Sequence, residues 1–161
     1  MRKKNLYFSI ILLIIFSSCG YQVVDKKKLQ TFNILEINTT GEKRINFKLK
    51  NKLLSYKKEN SKELIILDIN SKKNKSIKDK NIKNQITKYQ INLDVEVSYR
   101  KSNETKMNNF VLKQNGTYDV SSQHSQTLNN EKKLIDLLTN DISEKIIDQL
   151  VVKIQWFIKV I

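Results

Sequence analysis

The chain has 161 residues, a formal net charge of +14, one cysteine, one histidine and three glycines. This length suits one domain with a modest core, and one cysteine excludes a disulfide framework and a cysteine zinc site. A single imidazole, His124, and the lack of a glycine-rich phosphate loop leave few members for a catalytic triad, a zinc site or a nucleotide site. We therefore expect no enzyme activity, no cofactor and no metal.

Residues 1–18 are predicted to be a lipoprotein signal peptide. Basic residues at 2–4 precede an apolar run at 7–16, and two serines come directly before Cys19. The run is shorter than the roughly 20 apolar residues of a membrane-spanning helix, and this order of features is typical of an export signal. The stretch resembles a bacterial lipobox, in which the cysteine thiol receives a diacylglycerol and becomes the acylated amino terminus. An ordinary signal peptide with an unrelated cysteine is the alternative.

Cys19 is accordingly the predicted lipidation site. Two or more acyl chains hold a protein stably on a bilayer. Gly20 follows the cysteine, whereas lipoproteins resembling those kept at the inner membrane usually carry Asp there, so we expect the outer membrane. Residues 19–30 are predicted to be a lipidated tether, and residues 31–161 a single domain.

The first half of that domain predicts a strand, a helix and a second strand. Residues 31–37 are rich in β-favouring side chains and are predicted to form a strand. Thr39 and Glu42 have the spacing of a capping box, and a helix is expected to follow. Apolar residues then recur at helical spacing: Ile45, Leu49, Leu53 and Tyr56. Residues 64–69 form an apolar run that predicts a central strand.

Residues 70–84 are dominated by lysine, asparagine and serine. They predict either a mobile basic connection or the frayed ends of long strands around a turn. Strict alternation from Tyr89 to Tyr99 then indicates a strand with one buried face and one exposed face. The alternation resumes from Phe110 to Val120. Asn115-Gly116 within it is read as a bulge or weak point in one long strand, with a hairpin turn as the alternative.

A long amphipathic helix is predicted after Ser125. Its apolar stripe comprises Leu134, Ile135, Leu137, Leu138, Ile142, Ile146, Ile147 and Leu150. The chain then ends on an apolar stretch, residues 151–161. This stretch either continues the helix and packs, which we favour, or meets a membrane or a partner. The predicted fold class is α+β: a two-layer domain with a four-stranded, mainly antiparallel sheet covered by two helices, in the order β-α-β-β-β-α.

Four features together are similar to those of a known family. They are the lipobox continuing as Cys19-Gly20-Tyr21, the order of elements, the alternating strand at 89–99, and residues 116–120 leading through Ser125 into a helix with Leu138-Thr139-Asn140-Asp141-Ile142. The pattern resembles the lipopolysaccharide-assembly outer-membrane lipoprotein family, LptE. Members of that family commonly carry Ala after the position that matches His124 and at the start of the last helix, and this chain has Ser125 and Asn130 near those positions.

The resemblance implies an outer-membrane protein that plugs the lumen of the β-barrel LptD, assists its assembly and takes part in delivering lipopolysaccharide to the outer leaflet. Phosphorylated lipid calls for basic contacts. The candidate lipopolysaccharide-binding residues are Lys72, Lys73, Lys75, Lys78, Lys80 and Lys83 between strands two and three, with Arg100 and Lys101 at the next turn. A solvated charged loop is the plainer interpretation of these lysines.

The positive charge itself has two open explanations. A basic surface attracts anionic partners, but a coding sequence rich in A and T also enriches lysine, asparagine and isoleucine. We expect no nucleic acid partner for an exported protein. An independent envelope lipoprotein that binds another lipid or another assembly partner is the alternative to the LptE-type function.

Overall fold

The computed structural model describes residues 32–56, 61 and 63–158, with side chains described through residue 154. The predicted signal peptide, Cys19 and the tether lie outside the described residues. So do Thr31, residues 57–60 and 62, the end of the chain from 159, and the side chains from 155.

The elements follow the predicted order of strand, helix, three strands and helix. Their bounds are β1 Phe32–Gly41, α1 Lys43–Leu54, β2 Glu63–Lys80, β3 Ile86–Lys101, β4 Asn108–Asp119 and α2 His124–Ile158. The strands lie in the order β1-β2-β3-β4 in one sheet. β1 pairs with β2 in parallel, with α1 as the crossover between them, and the other two pairings are antiparallel. The predicted mainly antiparallel α+β sheet is confirmed.

The core lies on one face of this sheet, under both helices. The predicted alternation of β3 is seen directly, because Ile91, Leu93, Val95 and Val97 are at most 1% exposed while their neighbours point to the opposite face. Leu49 and Leu53 of α1 and Ile142, Ile146 and Leu150 of α2 close the same apolar cluster. We call the sheet face away from the helices the open face. Its residues are polar or charged along most of β3.

The predicted capping box is wrong. β1 continues to Gly41, and Thr39 pairs with Ile69 in the parallel ladder, because strand pairing satisfies the backbone that a helix would otherwise have taken. Glu42 is the N-cap residue of α1, and its side chain makes no capping hydrogen bond. Its backbone N–H donates to the carbonyl oxygen of Ser71 at 3.1 Å, which ties the start of α1 to β2.

β2 is three times longer than the apolar run that predicted it. The polar residues after Ile69 stay in the strand because they pair with β3, from Asn70 opposite Glu96 to Lys80 opposite Ile86. Ladder hydrogen bonds belong to the backbone, so they need no apolar side chain. The prediction of a mobile basic connection is therefore wrong, and the alternative prediction, two long strands around a turn, is confirmed.

β4 is one continuous strand. Its register against β3 runs without a shift from Asn108 to Asp119. The prediction of one long strand is therefore confirmed, whereas the bulge at Asn115-Gly116 and the hairpin alternative are wrong. Gly116 has a packing reason instead. A Cβ at this position would lie 2.6 Å from Cδ1 of Leu134, so the missing side chain makes room for α2.

α2 buries most of its predicted stripe. Leu137 is the exception at 56% exposed, because it lies beyond the edge of the buried face. His124 is the first residue of the helix. The helix continues through Ile158 with Ile154 buried, and the side chains that follow lie outside the described residues. No helix in the described part of the chain is long and apolar enough to cross a membrane.

Candidate functional site

The hairpin formed by β2 and β3 extends beyond the core at one end of the sheet. We call residues 77–86 the hairpin tip. Core burial along β2 ends at Ser71, and every residue from 76 to 85 is exposed. Ile77 is 49% exposed, as several other apolar side chains of the chain are, and Ile82 is fully exposed. The tip therefore presents apolar groups to its surroundings among basic ones.

Asn81 organises the turn at this tip. Its Oδ1 accepts hydrogen bonds from the backbone N–H groups of Lys83 at 3.0 Å and Gln85 at 2.9 Å. Asn84 adopts a positive φ of 60°, a conformation that Asn tolerates better than most residues. Its side chain accepts a hydrogen bond from Lys80 Nζ at 3.0 Å. These contacts hold the backbone so that Ile82 points away from the protein.

The basic residues predicted to form one site lie on different surfaces. Lys78, Lys80 and Lys83, which we call the hairpin lysines, lie in the tip. Lys72 pairs with Asp94 on the open face. Lys73 lies opposite Leu93 on the helix-covered face. Only Lys83 is in the connecting turn; the others belong to β2.

Arg100 and Lys101 lie at the far end of β3, about 40 Å from Lys88 at roughly 3.3 Å of rise per residue. Lys101 Nζ forms ion pairs with Glu63 at 3.1 Å and Glu104 at 3.7 Å. An Arg100 guanidinium N–H donates to the carbonyl oxygen of Glu104 at 3.5 Å. The structure does not bring this pair together with the hairpin lysines.

Lys75 is committed to a cluster at the base of the tip. Its Nζ donates to Glu131 Oε2 of α2 at 2.7 Å, and the Tyr118 hydroxyl donates to the same oxygen at 2.8 Å. The Nζ atom also lies 4.3 Å from the ring centroid of Tyr89, which stacks on Tyr118 with centroids 5.7 Å apart. We call these four residues, Lys75, Tyr89, Tyr118 and Glu131, the cluster. It connects β2, β3 and β4 to α2 and stabilises the hairpin next to its tip.

The cluster shifts the protonation equilibria of its members. Burial lowers the pKa of Lys75, but the hydrogen bonds to Glu131 and Tyr118 outweigh it, and the pKa is raised above its ordinary value. Burial raises the pKa of Glu131, but the hydrogen bonds from Lys75 and Tyr118, with the charges of Lys75 and Lys73, outweigh it, and the pKa is lowered. Both shifts favour the charged pair.

Glu131→Gln is expected to reduce the free energy of unfolding by about 1–2 kcal/mol at pH 7, because it removes a charge-assisted hydrogen bond. A carboxyl group whose pKa is lowered by folding stabilises above its unfolded value, near 4.5 here, and loses that contribution as pH falls through the folded value. The difference between the two proteins should therefore shrink below pH 4.5. Urea unfolding of the full chain from pH 3 to pH 7 measures it.

Glu96→Gln is the matched control for this prediction, because Glu96 lies exposed on the open face. We expect it to change stability at pH 7 by less than about 0.5 kcal/mol. A Glu131→Gln deficit that stays constant across the pH range would contradict the charge-based explanation.

Among the described residues, no group of three or more His, Cys, Asp or Glu side chains could hold a metal ion. The tyrosines and Glu131 were not predicted as site residues. Their alternating and helical positions in the sequence carry no sign that they meet around Lys75. Ile82 was recognisable only as an isolated apolar residue among lysines.

Comparison with known proteins identifies the family to which the chain belongs. The chain matches the family described as LptE, lipopolysaccharide-assembly, over residues 22–154. The chain belongs to the LptE family. This LptE-family protein therefore has a role in lipopolysaccharide assembly, and the resemblance stated from the sequence is confirmed.

Solved structures agree on the fold of this LptE-family protein. Rare lipoprotein B from Shewanella oneidensis is 11% identical, with a TM-score of 0.60 over 79% of this chain and 99% of that one. Lipoprotein B from Nitrosomonas europaea is 13% identical, with a TM-score of 0.57 over 84% of this chain and 93% of that one. No curated protein shows significant sequence similarity to the chain.

Proposed function

We propose that this protein is an outer-membrane lipoprotein, anchored through Cys19, that plugs an LptD-type β-barrel, assists its assembly and takes part in passing lipopolysaccharide to the outer leaflet. The observation that carries the proposal is the family match over residues 22–154. The role is non-catalytic and needs no cofactor. Its partners are the barrel, lipopolysaccharide and the outer membrane.

The surface of the domain supports a plug. The lumen of a large outer-membrane barrel is polar, so a protein inside it needs a polar exterior. The open face offers such a surface, with Asp68, Asn70, Lys72, Asn92, Glu96, Lys113 and Asn115 along β2, β3 and β4. A two-layer domain that buries one sheet face and leaves the other polar fits an aqueous lumen without exposing its core.

The hairpin tip supports a contact with lipopolysaccharide. A phosphorylated lipid offers phosphates, which ammonium groups bind, and acyl chains, which an apolar side chain contacts. In the tip, three lysines lie beside the fully exposed Ile82. Lys78 and Lys83 form no ion pair with any described residue, so their charges are available to a ligand. Lys72, Lys73, Arg100 and Lys101 stay predictions on other surfaces.

Affinity purification of the tagged full chain from membranes tests the proposal. We expect a large outer-membrane barrel to co-purify, and depletion of the protein to reduce surface lipopolysaccharide. Cys19→Ala is expected to abolish labelling by a radioactive fatty acid, because the thiol is the predicted attachment point. Cys19→Ser is a second variant that keeps the size of the side chain.

Recovery of the lipoprotein without a barrel would contradict the plug. Recovery with a different envelope protein would favour the independent lipoprotein instead. Normal fatty-acid labelling of both Cys19 variants would contradict lipid attachment at this residue.

A further inference from the structure

A second basic surface lies apart from the hairpin tip, between the two helices. An open pocket of about 300 Å³ is lined by the start of α1, by Lys73 of β2 and by the first turns of α2. Its cationic side chains come from three elements: Arg44, Lys73 and Lys132. Its apolar wall is Leu128, which is 52% exposed, together with the buried Ile45 and Ile135. The pocket therefore combines basic groups with an apolar side.

The acidic side chains in the pocket do not neutralise these cations. Glu42 and Glu131 are the carboxylates among its lining residues, and Glu131 is already bonded to Lys75 and Tyr118. Glu42 is therefore the one lining carboxylate left to balance the charges of the three cationic side chains. No ion pair joins Arg44, Lys73 or Lys132 to another side chain in the described part of the chain.

This excess of positive charge affects the pKa of a neighbouring lysine. Burial and the charges of Arg44 and Lys132 lower the pKa of Lys48, although Lys48 pairs with Asp136. The start of α1 adds to the same effect. Its first turn carries no acidic side chain, and Arg44 lies where the helix dipole is already positive. A bound anion would relieve the repulsion among these groups.

We propose that this pocket is a binding site for a phosphate monoester, held by Arg44, Lys73 and Lys132 with its organic part against Leu128. A phosphate monoester carries close to two negative charges at neutral pH and offers three acceptor oxygens. Arg44 supplies a planar fork of donors, and the two lysines supply ammonium groups from the other walls. The site is separate from the hairpin lysines. Lys73 is also one of the predicted lipopolysaccharide contacts, but the proposal rests on the pocket and its three cations.

Because the chain has few arginines, phosphate binding at Arg44 can be observed directly by NMR. The arginines are Arg2, which lies in the predicted signal peptide, Arg44 and Arg100, and the last lies at the far end of the sheet. The lipidated protein, labelled with ¹⁵N-arginine and held in a non-ionic detergent, is titrated with inorganic phosphate by NMR. We expect the Arg44 side-chain signal to shift and saturate while the Arg100 signal stays in place. An unmoved Arg44 signal, or equal unsaturated shifts of the Arg44 and Arg100 signals, would overturn the proposal.

Variants assign the site to its residues. Lys73→Gln and Lys132→Gln are each expected to weaken phosphate binding about tenfold, because each removes a charge-assisted hydrogen bond. Lys113→Gln removes the same charge from the exposed open face and should leave binding unchanged. Equal weakening by all three variants would mean that phosphate is attracted by the overall charge of the protein and not by this pocket. That result would overturn the proposal. Retained helical circular dichroism shows that each variant is folded.

Butyl phosphate distinguishes a lipid-linked phosphate from a free one. Contact of two or three methylenes with Leu128 should make it bind about tenfold tighter than inorganic phosphate. Leu128→Ser should remove that gain and leave inorganic phosphate binding intact. Equal affinity for the two probes would contradict the contact with Leu128 and overturn the proposed monoester site.

Discussion

Gly41→Ala is expected to lower the free energy of unfolding by about 3 kcal/mol. Gly41 has a φ of +93°, which costs a residue with a Cβ roughly 1–2 kcal/mol. A Cβ at this position would also lie 2.0 Å from the carbonyl oxygen of Ser71, and a backbone atom cannot move out of the way cheaply. Thermal unfolding of the full chain should show a midpoint lower by about 10 °C.

The clash also reaches a buried polar network. The Ser71 carbonyl accepts from the Glu42 N–H at 3.1 Å, and the Ser71 hydroxyl donates to Asn46 Oδ1 at 2.6 Å. Asn46 Nδ2 in turn donates to the Thr40 carbonyl at 2.8 Å. Moving Ser71 therefore disturbs the bonds that set the end of β1 and the start of α1. Unsatisfied buried groups cost about 1–3 kcal/mol each.

Gly116→Ala is the matched control. Its Cβ would meet Cδ1 of Leu134 at 2.6 Å, but this atom is the end of a flexible, half-buried side chain. A change of rotamer relieves the contact, so we expect a loss of no more than about 1 kcal/mol. Equal destabilisation of the two variants would contradict the explanation that the positive φ of Gly41 and its contact with Ser71 cause the loss of stability.

Replacing the three hairpin lysines with glutamine is expected to weaken lipopolysaccharide binding about 100-fold. A lysine near an anionic lipid surface contributes about 1 kcal/mol, and each 1.4 kcal/mol corresponds to tenfold in affinity. The lysines are exposed, so their loss should leave the fold stable. Titration of the full chain in detergent with fluorescent lipopolysaccharide measures the change. Ile82→Ser tests the acyl contact separately and should weaken binding several-fold.

A second triple variant removes the same charge elsewhere. Lys50, Lys113 and Lys145 are exposed on α1, β4 and α2, away from the tip. Their replacement with glutamine should reduce binding by far less, because salt screens charges beyond about 10 Å. Equal losses in the two triple variants would assign binding to net charge rather than to the hairpin tip.

Local patterns were sufficient for most of the fold. Strict alternation from Tyr89 to Tyr99 predicted a strand with one buried face, and all its odd-numbered residues from Ile91 are buried. The stripe from Leu134 to Leu150 predicted the long helix. In both cases a period in the sequence corresponds to one face of one element, so no distant residue is needed to interpret it. The resemblance to the LptE family also used the alternating strand and the long helix.

Local patterns failed where the partner strand supplies the structure. Thr39 and Glu42 have the spacing of a helix start, but Thr39 pairs with Ile69 in the sheet. The lysine-rich residues after Ile69 lack the signature of a strand, yet β3 pairs with them as far as Lys80. The candidate site depended on the same pairing, because the pairing places residues 70–80 in a strand of an extended hairpin and not in a mobile connection.

The sequence by itself determined which residues are apolar, the type and order of the regular elements and that the chain is basic. The tertiary structure decided which lysines share a surface. It placed the hairpin lysines with Ile82, set Lys75 against Glu131 and Tyr118, gathered Lys73 with Arg44 and Lys132, and left Arg100 at the far end. The physical reason is that charges interact over distances in space, and residues adjacent along a strand point to opposite faces of the sheet.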